Sequence, residues 1–210
     1  MKLSFRGFIV ILLGLVCWAT HDQSAVAQTP SPVLTCLIGT ERNVYQIGEI
    51  PLIHVVIFNR TNEELWLVLA LDGSERKARY PHAYFEIIGP DGKPRNARML
   101  SCGTINPMEE RNFVQVKPRA DFDPYAGYAC DFKVNLKENY SDPGEYRIRF
   151  YYSTDSDNPD KWGIPEIPGH DFEKIEANPL HRRLRKVPKT SIQSNELRIT
   201  FVESETSTSQ

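Results

Sequence analysis

The chain has 210 residues, 40% hydrophobic and 25% charged, with 25 basic against 27 acidic side chains and a net charge of −2. That near-balance excludes the strongly basic surface a nucleic-acid partner requires, and leaves a protein or glycan partner open. The length suits one domain with a sizeable core.

The first thirty residues read MKLSFRGFIVILLGLVCWATHDQSAVAQTP. Lys2 and Arg6 form a short basic region, and residues 8–19 are an apolar run too short for an ordinary membrane span. Ala25-Val26-Ala27 then puts small residues at the two positions a signal peptidase reads. This order predicts a signal peptide over 1–27 and an exported mature chain (periplasmic, cell-surface or secreted) with no membrane insertion after cleavage. Cys17 opens a competing reading, lipidation at that cysteine, although Val16 before it is not the small residue that lipidation sites carry; an uncleaved anchor is the third reading of this segment. Cleavage removes Lys2, Arg6 and Asp22 and leaves a charge of about −3.

Export also leaves Cys36, Cys102 and Cys130. An oxidising compartment accommodates one disulfide and one spare thiol. Cys102 and Cys130, both in mid-domain, are the favoured pair; a loop of that length would contribute about 3–4 kcal/mol if closed. Cys36 bonded to either, or three buried thiols, are the alternatives.

From residue 33 the dominant pattern is period-two alternation broken by turn residues. VLTCLIG (33–39) is a first strand, and Gly48-Glu49 is a bend before a strand over 50–58. Ile53, Val55 and Ile57 share one face of that strand, with His54, Val56 and Phe58 on the other. Residues 59–63 turn the chain into LWLVLAL (65–71), apolar on both faces and so central, with Trp66 in the core. AYFEII ends at Ile88, and Pro90-Asp91-Gly92 is a strong turn signal. Further strands are expected over 113–118, 128–136, 145–152 and 195–202. Residues 203–210 read as a disordered polar tail. Seven or eight strands with no convincing helical segment and no internal repeat predict an all-β fold, an immunoglobulin-like antiparallel β-sandwich spanning 28–202.

Residues 153–191 interrupt this rhythm, separating the last two strands by nearly forty residues where a short hairpin would do. The segment holds Pro159, Pro165, Pro168, Pro179 and Pro188, and its first half is acidic: Asp155, Asp157, Asp160, Glu166, Asp171, Glu173 and Glu176. Its second half is basic, HRRLRKVPK (181–189). Loops of this length are functional or disordered as a rule, so contacts with a partner are expected here.

Asp142-Pro143-Gly144-Glu145-Tyr146 has the Asp-x-Gly-x-Tyr spacing that precedes strand F in immunoglobulin-like domains, where the Tyr hydroxyl returns to a backbone group and fixes a corner. Ile148 stands where the antibody branch has a cysteine. Together with YQIGEIPLIHVVIFN (45–59) and SNELRITF (194–201), the corner resembles a pattern in exported bacterial sandwich proteins. It is also similar to the intracellular proteinase inhibitor family of bacilli, with its Gly-Glu, Asn and Pro-Gly-x-Tyr layout. That resemblance covers most of 33–202 outside the insertion. It implies a β-sandwich and, as a second function, inhibition of extracytoplasmic proteases.

No residue set completes an active site. His54, His82, His170 and His181 form no His-Glu-x-x-His or other close metal-ligand spacing, and no Gly-x-Ser-x-Gly elbow or glycine-rich phosphate loop is present. His54 reads as a core or edge histidine, and His170 as a titratable group among carboxylates. Cys102-Gly103 would need a histidine brought near by folding to act as a nucleophile. Asp155-Ser156-Asp157-Asn158-Pro159-Asp160 has the oxygens for a hard cation, yet only its closing Glu166 fits a calcium loop, so it reads as a solvated acidic turn. No metal and no cofactor are expected, and the function expected is binding or scaffolding without catalysis, an enzyme with a cryptic site being the remaining rival. The candidate contacts are Trp162, His170, Arg182, Arg183 and Arg185. Trp162 reads as an exposed aromatic contact, or as a side chain that folds the loop back onto the domain. The arginines read as a docking patch for an acidic partner, or as partners of the loop's own acidic half. Asn59-Arg60-Thr61 and Asn139-Tyr140-Ser141 match the glycan-acceptor pattern of a eukaryotic source.

Overall fold

Alternation in the sequence becomes strand after strand in the computed structural model, which describes residues 33–95, 106–126, 138–164 and 178–203. In chain order the strands are β1 (Leu34–Thr40), β2 (Val44–Gln46), β3 (Ile53–Asn59), β4 (Leu65–Val68), β5 (His82–Ile88), β6 (Phe113–Val116), β7 (Asp121–Phe122), β8 (Gly144–Ser153), β9 (Ser191–Gln193) and β10 (Leu197–Val202). Helical turns are few among the described residues: 3-10 turns at Glu110–Asn112 and Pro159–Trp162, and a short helix, α1 (Pro179–Leu184). The fold is all-β. The expected strand over 128–136 and most of the polar tail lie outside the described residues.

Three sheets are present among the described residues: β1-β3-β7; β2-β10-β8-β5, with β9 also pairing β8; and β4-β6. Every described pairing is antiparallel except β2 with β10, which run parallel. The sheets are thus antiparallel as expected, apart from that one short pairing. β2 is only three residues long, too short for its alternation to stand out. Side chains of all three sheets meet in one core that includes Ile57, Leu67, Ile148, Phe150 and Phe201.

Strand β8 shows why the alternation was informative. Tyr146, Ile148, Phe150 and Tyr152 are buried, and Glu145 and Arg147 are exposed on the opposite face. Arg149 stands across from Glu86 of β5, and Tyr84 and Tyr151, also opposite one another, stack with ring centroids 5.0 Å apart. Aromatic cross-strand pairs of this kind add to sheet stability.

The turn before β8 is a tyrosine corner. The Tyr146 hydroxyl donates to the Asp142 carbonyl (2.9 Å) and accepts from the Asp142 N–H (3.1 Å). Gly144 has φ +129°, and a Cβ on it would lie 2.7 Å from the Pro90 Cβ, so both conformation and space require glycine. Arg95 ties the two turns together, pairing with Asp142 at 2.8 Å and Asp91 at 3.0 Å.

Two buried polar groups join elements that are distant in sequence. The Tyr152 hydroxyl accepts from the Val68 N–H (3.1 Å) and donates to the Val68 carbonyl (2.8 Å), linking β8 to β4. Asn59 is fully buried, and its amide bonds the 59–63 turn and the end of β6. The Asn195 side chain bonds both the N–H (2.8 Å) and the carbonyl (3.1 Å) of Ile38, acting as a one-residue strand on the edge of β1. Such plugging keeps an edge strand from pairing with another chain. The asparagines of both glycan-acceptor patterns, Asn59 and Asn139, are buried, so the folded domain presents neither to a transferase.

Candidate functional site: the insertion between β8 and β9

The 153–191 segment leaves and rejoins the sheet at one point. Ser153 lies opposite Ser191 with their hydroxyls 2.7 Å apart. One residue on, the buried Thr154 donates through its hydroxyl to the Pro188 carbonyl (2.6 Å), and its N–H donates to the Thr190 carbonyl (2.8 Å). This clamp fixes the base of two arms, 154–164 and 178–190.

Each arm starts its helical turn the same way. Asn158 precedes Pro159, and Asn178 precedes Pro179; each asparagine side chain accepts from the N–H two residues on, Asp160 at 3.0 Å and Leu180 at 2.9 Å. Asparagine caps the free N–H groups while proline at the first helical position lacks one to satisfy. The expectation of no helical segment is corrected here, because two Asn-Pro pairs among so many prolines read as loop.

Trp162 corrects the expectation of an exposed contact. It is fully buried, in a second apolar cluster with Val68, Leu71, Met108, Phe113, Ile164 and Val187. Its indole N–H donates to the Ser156 carbonyl (3.1 Å), and Tyr80 lies 5.4 Å away. The buried Arg79 donates to the carbonyls of Trp162 (2.6 Å) and Asn106. Backbone bonds from Tyr80 to Lys161 (2.7 Å) and from Met108 to Gly163 (3.2 Å) complete the attachment. The first arm is thus packed on β4 and β6, the alternative reading of the tryptophan.

In the second arm, Arg183 turns back to the domain. Its guanidinium pairs with Glu110 (2.7 Å) and lies over the ring of Trp66, 5.1 Å from its centroid. Trp66 is therefore half-buried under an arginine rather than in the core. Arg182 and Arg185 are exposed. Lys189 pairs with Asp157, which joins the arms. His170 of the candidate set, like Cys102 and Cys130 of the expected disulfide, lies outside the described residues.

Between the arms is a cavity of about 340 Å³. Trp162, Pro159, Leu184 and Val187 give it an apolar wall, and Thr154 and Ser156 a polar one. Asp157, His181, Arg185 and Lys189 bring charge to it. Burial, and then the positive charge of Arg185, hold the His181 pKa below its usual value. Arg185 and His181, four residues apart at the end of α1, face one cavity for that reason of helical spacing.

The other titratable groups stand apart. His54 is exposed on β3 and not in the core; it pairs with Gly39 of β1, and the described part of β7 stops short of it at Ile57. His82, which no sequence pattern marked, stacks on Tyr80 with centroids 3.9 Å apart; burial, then Lys77 and Lys161, lower its pKa. Cys36 is a buried free thiol, pushed up to about 12 by burial and so unsuited to thiolate chemistry. Among the described residues no three His, Cys, Asp or Glu side chains converge on a metal position, and no helix is long and apolar enough to cross a membrane. In the 155–160 run, Asn158 caps the turn and Asp157 pairs with Lys189.

Comparison with protein-family models, with curated proteins and with solved structures finds no match to this chain.

Proposed function

We propose that the protein is an exported immunoglobulin-like β-sandwich that binds or scaffolds without catalysis, its contacts made by the 153–191 insertion. The tyrosine corner at the start of β8 and the core shared between the β1-β3-β7 and β2-β10-β8-β5 sheets support the sandwich. The signal-like first 27 residues support export. The observation that carries the binding role is the cavity between two arms that a side-chain and backbone clamp closes at their base. A loop without function has no need of its own apolar cluster and two capped turns. Partners of protein or glycan chemistry suit an exported module of this charge.

Capture from the exported fraction of the native source tests this. The immobilised wild-type protein is expected to retain a partner, and the double variant Arg182→Glu, Arg185→Glu to lose it by about tenfold or more, as charge reversal at a contact does. Both side chains are exposed, so thermal stability should stay within about 0.5 kcal/mol of wild type. Equal capture by both proteins would overturn the assignment. Inhibition of a protease by the wild type, lost in the variant, would replace general binding with the inhibitor function.

A further inference from the structure

Resting on that binding role, we propose that the outward face of α1 docks an acidic peptide segment in extended conformation, with carboxylates at alternate positions. The helix has two faces. Leu180, Leu184 and Val187 pack into the second apolar cluster, and Arg183 turns to Glu110 on the same side. The helical turn continues past Leu184: the Arg185 N–H donates to the His181 carbonyl (3.1 Å), and the Lys186 N–H to the Arg183 carbonyl (2.9 Å). Arg182 and Lys186 therefore stand one turn apart on the side away from the domain, and both are exposed.

These two cations lack a carboxylate. Arg183 has Glu110 and Lys189 has Asp157, and Arg185 has a partner of its own and is not counted. Among the described residues Arg182 and Lys186 form no ion pair. No acidic residue stands three or four positions from either in sequence. A helix dipole favours a cation in the last turn, yet like charges one turn apart repel, so this placement is not one that helix stability selects.

The number of unpaired cations decides the class of partner. An anionic membrane or a polyanion is held by many, typically a cluster of about 4–8 Lys and Arg, whereas two suit a short acidic stretch. The net charge of −2 adds no long-range attraction to either of those surfaces. Spacing then decides the conformation. Side chains one helical turn apart have Cβ atoms about 5–6 Å apart, and alternate residues on one side of a strand lie about 6.6–6.8 Å apart. One carboxylate meets the Arg182 fork, which can hold both its oxygens, and the next meets the Lys186 ammonium.

The full-length protein would be titrated with two octapeptides of equal charge and composition, acetyl-(Glu-Thr)4-amide and acetyl-(Glu-Glu-Thr-Thr)2-amide, with the amide resonances of 180–187 as readout. Only the first presents neighbouring glutamates on one side of an extended chain. It is expected to bind about threefold or more tightly than the second, and to weaken as salt is raised. Arg182→Gln and Lys186→Gln should each weaken the alternating peptide by about threefold, within the range of exposed ion pairs, and Arg147→Gln on β8 should leave it unchanged. Equal affinity for the two peptides, or no loss in either α1 variant, would overturn the proposal. So would shifts at α1 produced by a sulfated heparin tetrasaccharide or by phosphatidylglycerol vesicles and by neither peptide. If the peptides fail while Arg182→Glu, Arg185→Glu still loses the captured partner, the binding role stands and the acidic peptide is removed from it; capture unchanged in that variant removes the binding role itself.

Discussion

Trp162→Ala is expected to release the insertion from the domain while the main core stays folded. Among the described residues Trp162 is the largest fully buried side chain, and its cluster brings together Val68 and Phe113 of the β4-β6 sheet with Ile164 and Val187 of the two arms. Truncating a buried tryptophan costs about 3–5 kcal/mol in lost transfer and cavity formation. The main cluster contains neither Trp162 nor the arms, so the loss is local. The Trp162 indole bond to Ser156 goes with it, and the cavity loses its apolar wall. Hydrogen exchange measures the result. Amides of 154–164 and 178–190 should lose about 3 kcal/mol or more of protection, while those of Ile57 and Ile148 keep theirs. A uniform loss across both sets would mean that the insertion is inseparable from the main core.

A larger effect on global stability is expected at Asn59, where Asn59→Asp should destabilise the domain by about 3–5 kcal/mol at neutral pH, the cost of an uncompensated buried charge. The amide nitrogen donates to the carbonyls of Glu63 (2.8 Å) and Lys117 (3.0 Å), with the Val116 carbonyl at 3.3 Å. Its oxygen accepts from the Thr61 N–H (3.0 Å) and hydroxyl (2.7 Å). An aspartate keeps the second set and turns an oxygen toward three carbonyls. Burial and those carbonyls would raise the folded-state pKa of the new carboxyl above its unfolded value of about 4. The sign follows: the penalty is full above the raised pKa and shrinks as pH falls through it, when protonation restores one donor. Urea unfolding at pH 7 and pH 5 should therefore show a smaller deficit against wild type at pH 5. A deficit that grows on acidification would contradict this assignment of donors. Measured against a typical domain stability of about 5–15 kcal/mol, the change is large.

What could be read in advance was local. The alternation of Tyr146, Ile148, Phe150 and Tyr152 lies within one strand, and the Asp-x-Gly-x-Tyr corner within five residues, so both were legible from residue type and spacing. The two Asn-Pro caps were equally local and were obscured by the three other prolines around them. Trp162 was undecidable from its neighbours Lys161 and Gly163, because its burial depends on Val68 and Phe113, dozens of residues away. The same holds for Tyr152, which alternation placed inward without revealing that its hydroxyl would meet Val68. Arg183 looked like one more exposed cation until Glu110 and Trp66 were placed beneath it. The cavity is a property of two arms together, and no single stretch of sequence contains it.

The central claim is that the insertion, and not the outer faces of the sheets, meets the partner. Site-specific photo-crosslinking measures this directly, with a photo-reactive phenylalanine analogue in place of Arg182 on α1 or of Arg147 on the exposed face of β8. In the exported fraction of the native source, irradiation is expected to give a covalent adduct from position 182 and none from position 147. An adduct from 147 with none from 182 would contradict the account.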